Sequence, residues 1–308
     1  MKKVLVTGAN GFIGRSLVKQ LLHSDYLVYA VVKGGTGLRD ISSENLRITI
    51  CEFSDYSELA DRIGERVDTF IHLAWDGYGK DTNNLIVQSK NILASTMALE
   101  QAQLLGASRF IFAGSSYQYR MEPITKDDNT FYIKKNIYGS TKEAATTVLR
   151  AASGRYGIIF NSVLFTNVFG VGDHSNRSTN TLILQLLQHR PIRLIPGNHK
   201  HDWTYIDDAV NGIISVMENG KDGARYYIGN RQLKTFQEIM LDVQDVVCPD
   251  ADLQFGCYPD DGYIDYSEID LESLYRETGF VCKADFRESI RKTAQWLIEQ
   301  KAKESVNF

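Results

Sequence analysis

The 308-residue chain predicts an α/β fold: a doubly wound parallel sheet with a smaller α+β lobe toward the C-terminus. Three observations carry this reading. Short apolar runs alternate with helical patterns through the first half, a glycine-rich stretch follows the first run, and the alternation breaks after Leu164. Strands that read as continuous apolar runs, each followed by a helix, belong to a parallel sheet covered on both faces.

In chain order, the predicted strands are Lys3–Thr7, Leu27–Val32, Leu46–Cys51, Thr69–Leu73, Arg109–Ala113 and Ile158–Leu164. Helical patterns lie between them at Ile13–His23, Tyr56–Gly64, Asn84–Leu105 and Ile137–Tyr156. Six such units place ligands at the carboxyl ends of the strands. Beyond Leu164, Gly170-Val171-Gly172-Asp173 and Pro196–His201 read as loops, with a helix at Thr179–His189 between them. Trp203–Ile206 reads as a strand returning to the sheet, and Asp207–Glu218 as the helix after it. The remainder mixes short strands (Arg225–Ile228, Leu253–Cys257) with helices (Thr235–Val246, Glu268–Thr278, Phe286–Lys303). The expected division is a nucleotide-binding domain, 1–166 with 203–219, and a substrate lobe, 167–202 with 220–308.

Composition excludes several classes. A hydrophobic fraction of 43% and a charged fraction of 23% are those of a globular protein. The net charge of −4, with no basic block, argues against nucleic acid as a partner. No apolar stretch approaches the roughly 20 residues of a membrane span, and the N-terminus lacks the features of a signal peptide. Cys51, Cys248, Cys257 and Cys282 have no metal-ligand spacing and read as reduced, buried thiols. A cytoplasmic location with no bound metal is expected.

Thr7-Gly8-Ala9-Asn10-Gly11-Phe12-Ile13-Gly14 stands between the first predicted strand and the first predicted helix. In this context Gly8 allows a tight turn, Gly11 lets the backbone approach a pyrophosphate, and Gly14 lets helix and sheet pack closely. The helix N-terminus adds amide donors and the positive end of a dipole. This is the Rossmann-type signature of a dinucleotide site. A carboxylate that would hold a ribose 2′-hydroxyl is expected near the end of the second strand, yet that strand ends Val31-Val32-Lys33. Lys33 is either a partner for a 2′-phosphate or a solvated strand-end lysine. The missing carboxylate favours NADP(H), with NAD(H) as the alternative. Tyr138 and Lys142, four apart on a predicted helix, share one face. There an ammonium can lower a phenol's pKa and suit it to proton exchange beside a nicotinamide.

Further stretches follow in order: Ile71-His72-Leu73-Ala74, Gly114-Ser115-Ser116, Asn167-Val168-Phe169-Gly170, and Asp202-Trp203-Thr204-Tyr205-Ile206-Asp207-Asp208. With the glycine loop and the Tyr138/Lys142 pair, they resemble the extended short-chain dehydrogenase/reductase superfamily, in its NAD(P)-dependent nucleotide-sugar epimerase/dehydratase branch. The resemblance implies that Ser115 hydrogen-bonds the sugar oxygen and that Tyr138 exchanges its proton. Lys142 would hold the nicotinamide ribose and bias Tyr138 toward phenolate. It also implies cofactor contacts from Gly8, Asn10, Gly11, Phe12, Ile13, Gly14, Lys33, Glu52, Phe53, Leu73 and Ala74, besides Tyr138 and Lys142. Substrate contacts are implied for Trp75, Ser115, Ser116, Tyr117, Asn167 and His201. A homodimer through the helices at Asn84–Leu105 and Ile137–Tyr156 is a further expectation. Asp207 and Asp208 are expected to cap the helix that follows them.

Departures from the family pattern narrow the reaction. Dehydratases of the family carry Asp-Glu after the catalytic hydroxyl, where this chain has Ser116 and Tyr117, which argues against a 4,6-dehydratase. His201 replaces a common diphosphate-binding Arg, and Lys200 or Arg193 could substitute. Trp75-Asp76-Gly77-Tyr78-Gly79 is unusual for the family: Trp75 either walls the pocket or is ordinary packing. Tyr117 and His174 are extra acid–base candidates, each read more simply as a pocket aromatic and a loop histidine. The leading expectation is a 4-reductase acting on a nucleoside-diphosphate 4-keto-6-deoxy sugar. A nucleotide-sugar 4-epimerase is the runner-up, and a non-catalytic NAD(P) sensor on the same fold is a distant third.

Overall fold

The computed structural model describes residues 1–34, 37–126 and 129–306, with side chains to residue 303. Its elements are β1 (Lys3–Thr7), α1 (Phe12–His23), β2 (Leu27–Val32), β3 (Leu46–Ile50), α2 (Leu59–Ile63) and β4 (Thr69–His72). Next come α3 (Leu85–Leu104), β5 (Arg109–Ala113), β6 (Arg120–Lys126), β7 (Asn129–Ile133), α4 (Ile137–Tyr156) and β8 (Ile159–Leu164). After these lie β9 (Asn167–Phe169), α5 (Ser178–Leu187), β10 (Ile192–Arg193), β11 (Lys200–His201), β12 (Trp203–Tyr205) and α6 (Ile206–Asn219). The chain ends with β13 (Arg225–Tyr227), β14 (Lys234–Thr235), α7 (Phe236–Val247), β15 (Leu253–Gln254), β16 (Tyr263–Ile264), α8 (Ser273–Thr278) and α9 (Phe286–Val306).

Seven parallel strands form the central sheet in the order β3-β2-β1-β4-β5-β8-β13. The order reverses between β1 and β4, which opens a crevice at their carboxyl ends. Successive residues of a strand point to opposite faces, and both faces here are covered. Val4, Val6, Val28 and Ala30 join the core under α1 and α6, whereas Leu5, Tyr29 and Val31 join the core under α3 and α4. That two-sided burial explains why these strands lack alternation in the sequence. β3, at the sheet edge, leaves Ile48 and Ile50 exposed.

Some sequence expectations change. Trp203–Tyr205 does form a strand, but it pairs in parallel with β9, outside the main sheet. The seventh sheet strand is β13, which pairs with β8. An unforeseen antiparallel hairpin, β6–β7, lies between β5 and α4, and β16 pairs with β6. Asp207 and Asp208 do not cap α6, whose N-cap makes no side-chain hydrogen bond. Instead buried Asp208 accepts the backbone N–H groups of Lys283 and Ala284 at 2.8 and 3.0 Å. The four cysteines are free, but only Cys51 and Cys248 are buried; Cys257 and Cys282 are partly exposed. Among the described residues, no helix is long and apolar enough to cross a membrane.

The start of α4 is fixed from outside the helix. Asn136 caps it by accepting the Gly139 N–H at 2.6 Å. A Cβ at Gly139 would overlap the Tyr117 carbonyl oxygen. Tyr117 belongs to a 3-10 turn (Ser116–Tyr119) capped by Ser115, so helix and turn meet backbone to backbone. Gly139→Ala should therefore destabilise the protein by about 1–3 kcal/mol, the cost of overpacking a filled site. A lowered urea midpoint with unchanged slope checks this; an unchanged midpoint would refute the close contact.

Candidate active site

β1 delivers Gly8 into the turn before α1 with φ +65°, a conformation that favours glycine. A Cβ there would meet the Ala74 backbone N at 2.8 Å, and one at Gly14 would overlap the Gly8 carbonyl oxygen. The turn, the loop after β4 and α1 are thus drawn together without side chains between them. Thr7 and His72 tie the ends of β1 and β4 through Oγ1···Nδ1 at 2.7 Å. His72 Nε2 contacts Ser95 of α3 at 3.1 Å. Burial pushes His72 down to about 3, so this link is neutral.

One pocket over this turn is lined by Gly8, Asn10, Gly11, Lys33, Glu52, Phe53, Leu73 and Ala74, all singled out in the sequence. Phe12 lines the adjoining groove, and Ile13 the neighbouring cleft. A pyrophosphate fits this cradle: Gly11, exposed and without a Cβ, is the N-cap of a 12-residue helix. Asp76 also lines the pocket, and it was not foreseen. Lys33 Nζ lies 3.3 Å from Asp76 and 3.9 Å from Glu52. Two carboxylates from other loops thus stand beside the end of β2, where the sequence has no acidic side chain. Asp76 is held in place by its N–H donating to Asn91 Oδ1 at 2.7 Å.

The cleft beside it gathers Ser115, Ser116, Tyr117, Tyr138, Lys142, Trp75, Asn167 and His201. Tyr138 is buried, with the rings of Trp75, Tyr78 and Tyr117 edge-on to it at 6.2, 5.5 and 5.9 Å. Burial pushes its phenol well up and Tyr78 adds to this, while a Ser115 hydrogen bond and the charge of Arg177 pull it down. Lys142 is buried one helical turn on. Its Nζ donates to the Ala113 carbonyl at 2.6 Å and sits 3.7 Å from the Trp75 ring centroid. Nζ is 5.9 Å from the Tyr138 ring centroid. Burial pushes Lys142 well below its ordinary range, although the Trp75 face favours the charged form. Trp75 both walls the cleft and packs: its Nε1 donates to Gln88 Oε1 at 2.9 Å.

Other candidates fall elsewhere. Lys200 and Arg193 are absent from the residues lining the cleft; Lys200 donates to the Leu233 carbonyl, and Arg193 lies over Tyr258. His174 meets Trp296 edge-on at 5.0 Å and lines the groove by the glycine turn. His201 is pushed down to about 4, chiefly by burial, and is neutral. Sequence reasoning missed Arg120, Arg177, Asp202, Tyr263 and Tyr266 as lining residues of the cleft. Arg120 comes from the unforeseen hairpin and pairs with Glu122 and Asp261 at 3.1 and 3.0 Å. Arg177 is the N-cap residue of α5, a position with no motif to mark it.

Residues 4–229 match the NAD dependent epimerase/dehydratase family. A CDP-abequose synthase from Yersinia pseudotuberculosis is 26% identical over 249 residues, covering 80% of this chain and 82% of that protein. A UDP-glucose 4-epimerase from Thermotoga maritima, solved with UDP-glucose, superposes with a TM-score of 0.80 at 21% identity, covering 97% of this chain and 99% of that one. A UDP-glucuronic acid 4-epimerase from Bacillus cereus, solved with UDP-glucuronic acid and NAD, gives 0.76 at 20% identity, covering 97% and 99%. The doubly wound sheet, the glycine turn and the extent of the match agree, and the chain belongs to the NAD dependent epimerase/dehydratase family.

Proposed function

We propose that this chain is a 4-reductase acting on a nucleoside-diphosphate 4-keto-6-deoxy sugar, with Ser115, Tyr138 and Lys142 as its catalytic residues. The observation that carries this reading is a cleft wall holding a phenol, a hydroxyl and an amine, with no free carboxylate among the lining residues described. Asp202 is the carboxylate that lines it, and its oxygens accept from Tyr227, Asn230 and Thr204. Elimination of water needs an acid–base pair beyond the phenol; carbonyl–alcohol interconversion does not.

A nicotinamide dinucleotide, when bound, supplies the hydride. Tyr138 gives its phenolic proton to the C4 oxygen as the ketone becomes an alcohol. Ser115, whose hydroxyl has a single proton, donates to the Tyr138 oxygen in the free site and turns that donor to the C4 oxygen when the sugar is bound. Lys142 Nζ, which donates to the Ala113 carbonyl in the free site, would hold the nicotinamide ribose. Tyr78, Tyr117 and Trp75 crowd Tyr138 from three sides, which supports presentation of one sugar face to the donor. His201 and Arg120 flank the cleft where the substrate's diphosphate would lie. Arg120, a permanent cation, takes the place of the absent arginine.

The adenosine end supports NAD(H) rather than NADP(H). Two carboxylates around one ammonium leave the pocket net negative, which suits a 2′-hydroxyl and repels a 2′-phosphate. This same observation favours the second reading, a 4-epimerase that retains its cofactor.

Incubation with a panel of nucleotide sugars, with added NADH or NADPH, tests the reaction. The reductase reading predicts stoichiometric loss of reduced cofactor with a 4-keto substrate, abolished by Tyr138→Phe. Interconversion of two sugars without net cofactor use would replace it with the epimerase. For the cofactor, the Asp76→Asn/Glu52→Gln double variant should raise the NADPH-to-NADH preference in kcat/KM by about tenfold, or ~1.4 kcal/mol. An unchanged ratio would contradict the role given to these carboxylates.

A further inference from the structure

We infer that Arg177 is a positioning residue for the Tyr138 proton: through Tyr78 it supplies the fixed positive charge that favours the Tyr138 phenolate. The inference rests on Tyr138 as the proton-exchanging group of the proposed reaction. The Arg177 guanidinium lies over the Tyr78 ring, 4.6 Å from its centroid, and the Tyr78 ring meets Tyr138 edge-on at 5.5 Å. Arg177 Nε is buried without a hydrogen-bond partner, and no carboxylate among the described residues pairs with this side chain. It is therefore not ion-paired, although buried Asp173, whose Oδ2 has no partner among the described residues, lines the same groove by the glycine turn. Arg177 also lines both the catalytic cleft and the groove beside the glycine turn.

Lys142 is poorly placed to supply this charge alone. Its Nζ is engaged by the Ala113 carbonyl and the Trp75 face, and its burial disfavours the ammonium. An arginine cannot lose its proton under such conditions, whereas a buried lysine can. The groups facing Tyr138 come from five elements: Ser115 before the 3-10 turn, Tyr117 within it, Tyr78 after β4, Lys142 on α4 and Arg177 at α5. Ser115 and Arg177 favour the phenolate, and Tyr78 and Tyr117 disfavour it. Across the cleft stand Arg120, His201, Asp202 and Tyr266. Arg120 is ion-paired and His201 neutral. Asp202 is fully hydrogen-bonded. Arg177 is thus a cation beside Tyr138 that makes no ion pair among the described residues.

The test is an ultraviolet phenolate titration of the purified protein, within the pH range where circular dichroism shows the fold intact. Subtracting the Tyr138→Phe curve isolates Tyr138. A positive charge lowers a phenol's pKa, so Arg177→Met should move the Tyr138 transition to higher pH, and Arg177→Lys should return it toward the parent position. Arg177→Gln repeats the loss of charge with a polar side chain, should Arg177→Met fail to fold. An unmoved transition in a folded neutral variant would overturn the inference, as would equal shifts in the lysine and methionine variants. No sugar substrate enters this measurement, so its failure is separable from failure of the reductase reading.

Discussion

The first turn of α4 lies directly on the carbonyl oxygen of Tyr117, and the cleft depends on that contact. Gly139, between Tyr138 and Ser140, has no side chain to hold the two backbones apart. Asn136 caps the helix through Gly139 and donates to the same Tyr117 carbonyl at 3.4 Å. Tyr138 and Lys142 come from the helix, Ser115 and Tyr117 from the turn beyond β5, so one junction sets the spacing of all four. Gln118 reinforces it, accepting the Ser115 N–H at 2.9 Å and donating to Glu143 of α4 at 2.5 Å.

Burial then governs the electrostatics. His72, Tyr138, Lys142 and His201 are all pushed toward their neutral forms by desolvation. A site assembled from uncharged groups costs less to bury than one of opposed ions. In the proposed reaction its polarity comes from charges that cannot be titrated away, namely the Arg177 guanidinium and the dinucleotide once bound. Arg120, on the β6 hairpin, and Arg177, at the start of α5, both line the cleft.

How far the sequence could be read follows the same physics. The six main-sheet strands before residue 165 were legible: β1, β2, β4, β5 and β8, buried on both faces, leave largely apolar runs, and the edge strand β3 alternates. The glycine spacing was legible because each close approach demands the absence of Cβ. The β6–β7 hairpin was not, since every residue of β7 is exposed and no alternation marks it. Trp203–Ile206 read as a sheet strand because a short, mostly apolar segment looks alike in either pairing. The carboxylates around Lys33 lie 19 and 43 residues further along the chain, and only the fold brings them to it. Arg177 is joined to Tyr138 through a third residue, a relation that spacing along a chain does not encode.

Isotope transfer tests the central claim most directly. A nucleoside-diphosphate 4-keto-6-deoxy sugar would be incubated with reduced cofactor carrying deuterium at its transferable position, and the product read by mass spectrometry and NMR. The reductase reading predicts a single deuterium at C4 of one stereoisomer, with an equal amount of cofactor oxidised. Absence of label, label at another carbon, or a mixture of both C4 isomers would contradict it.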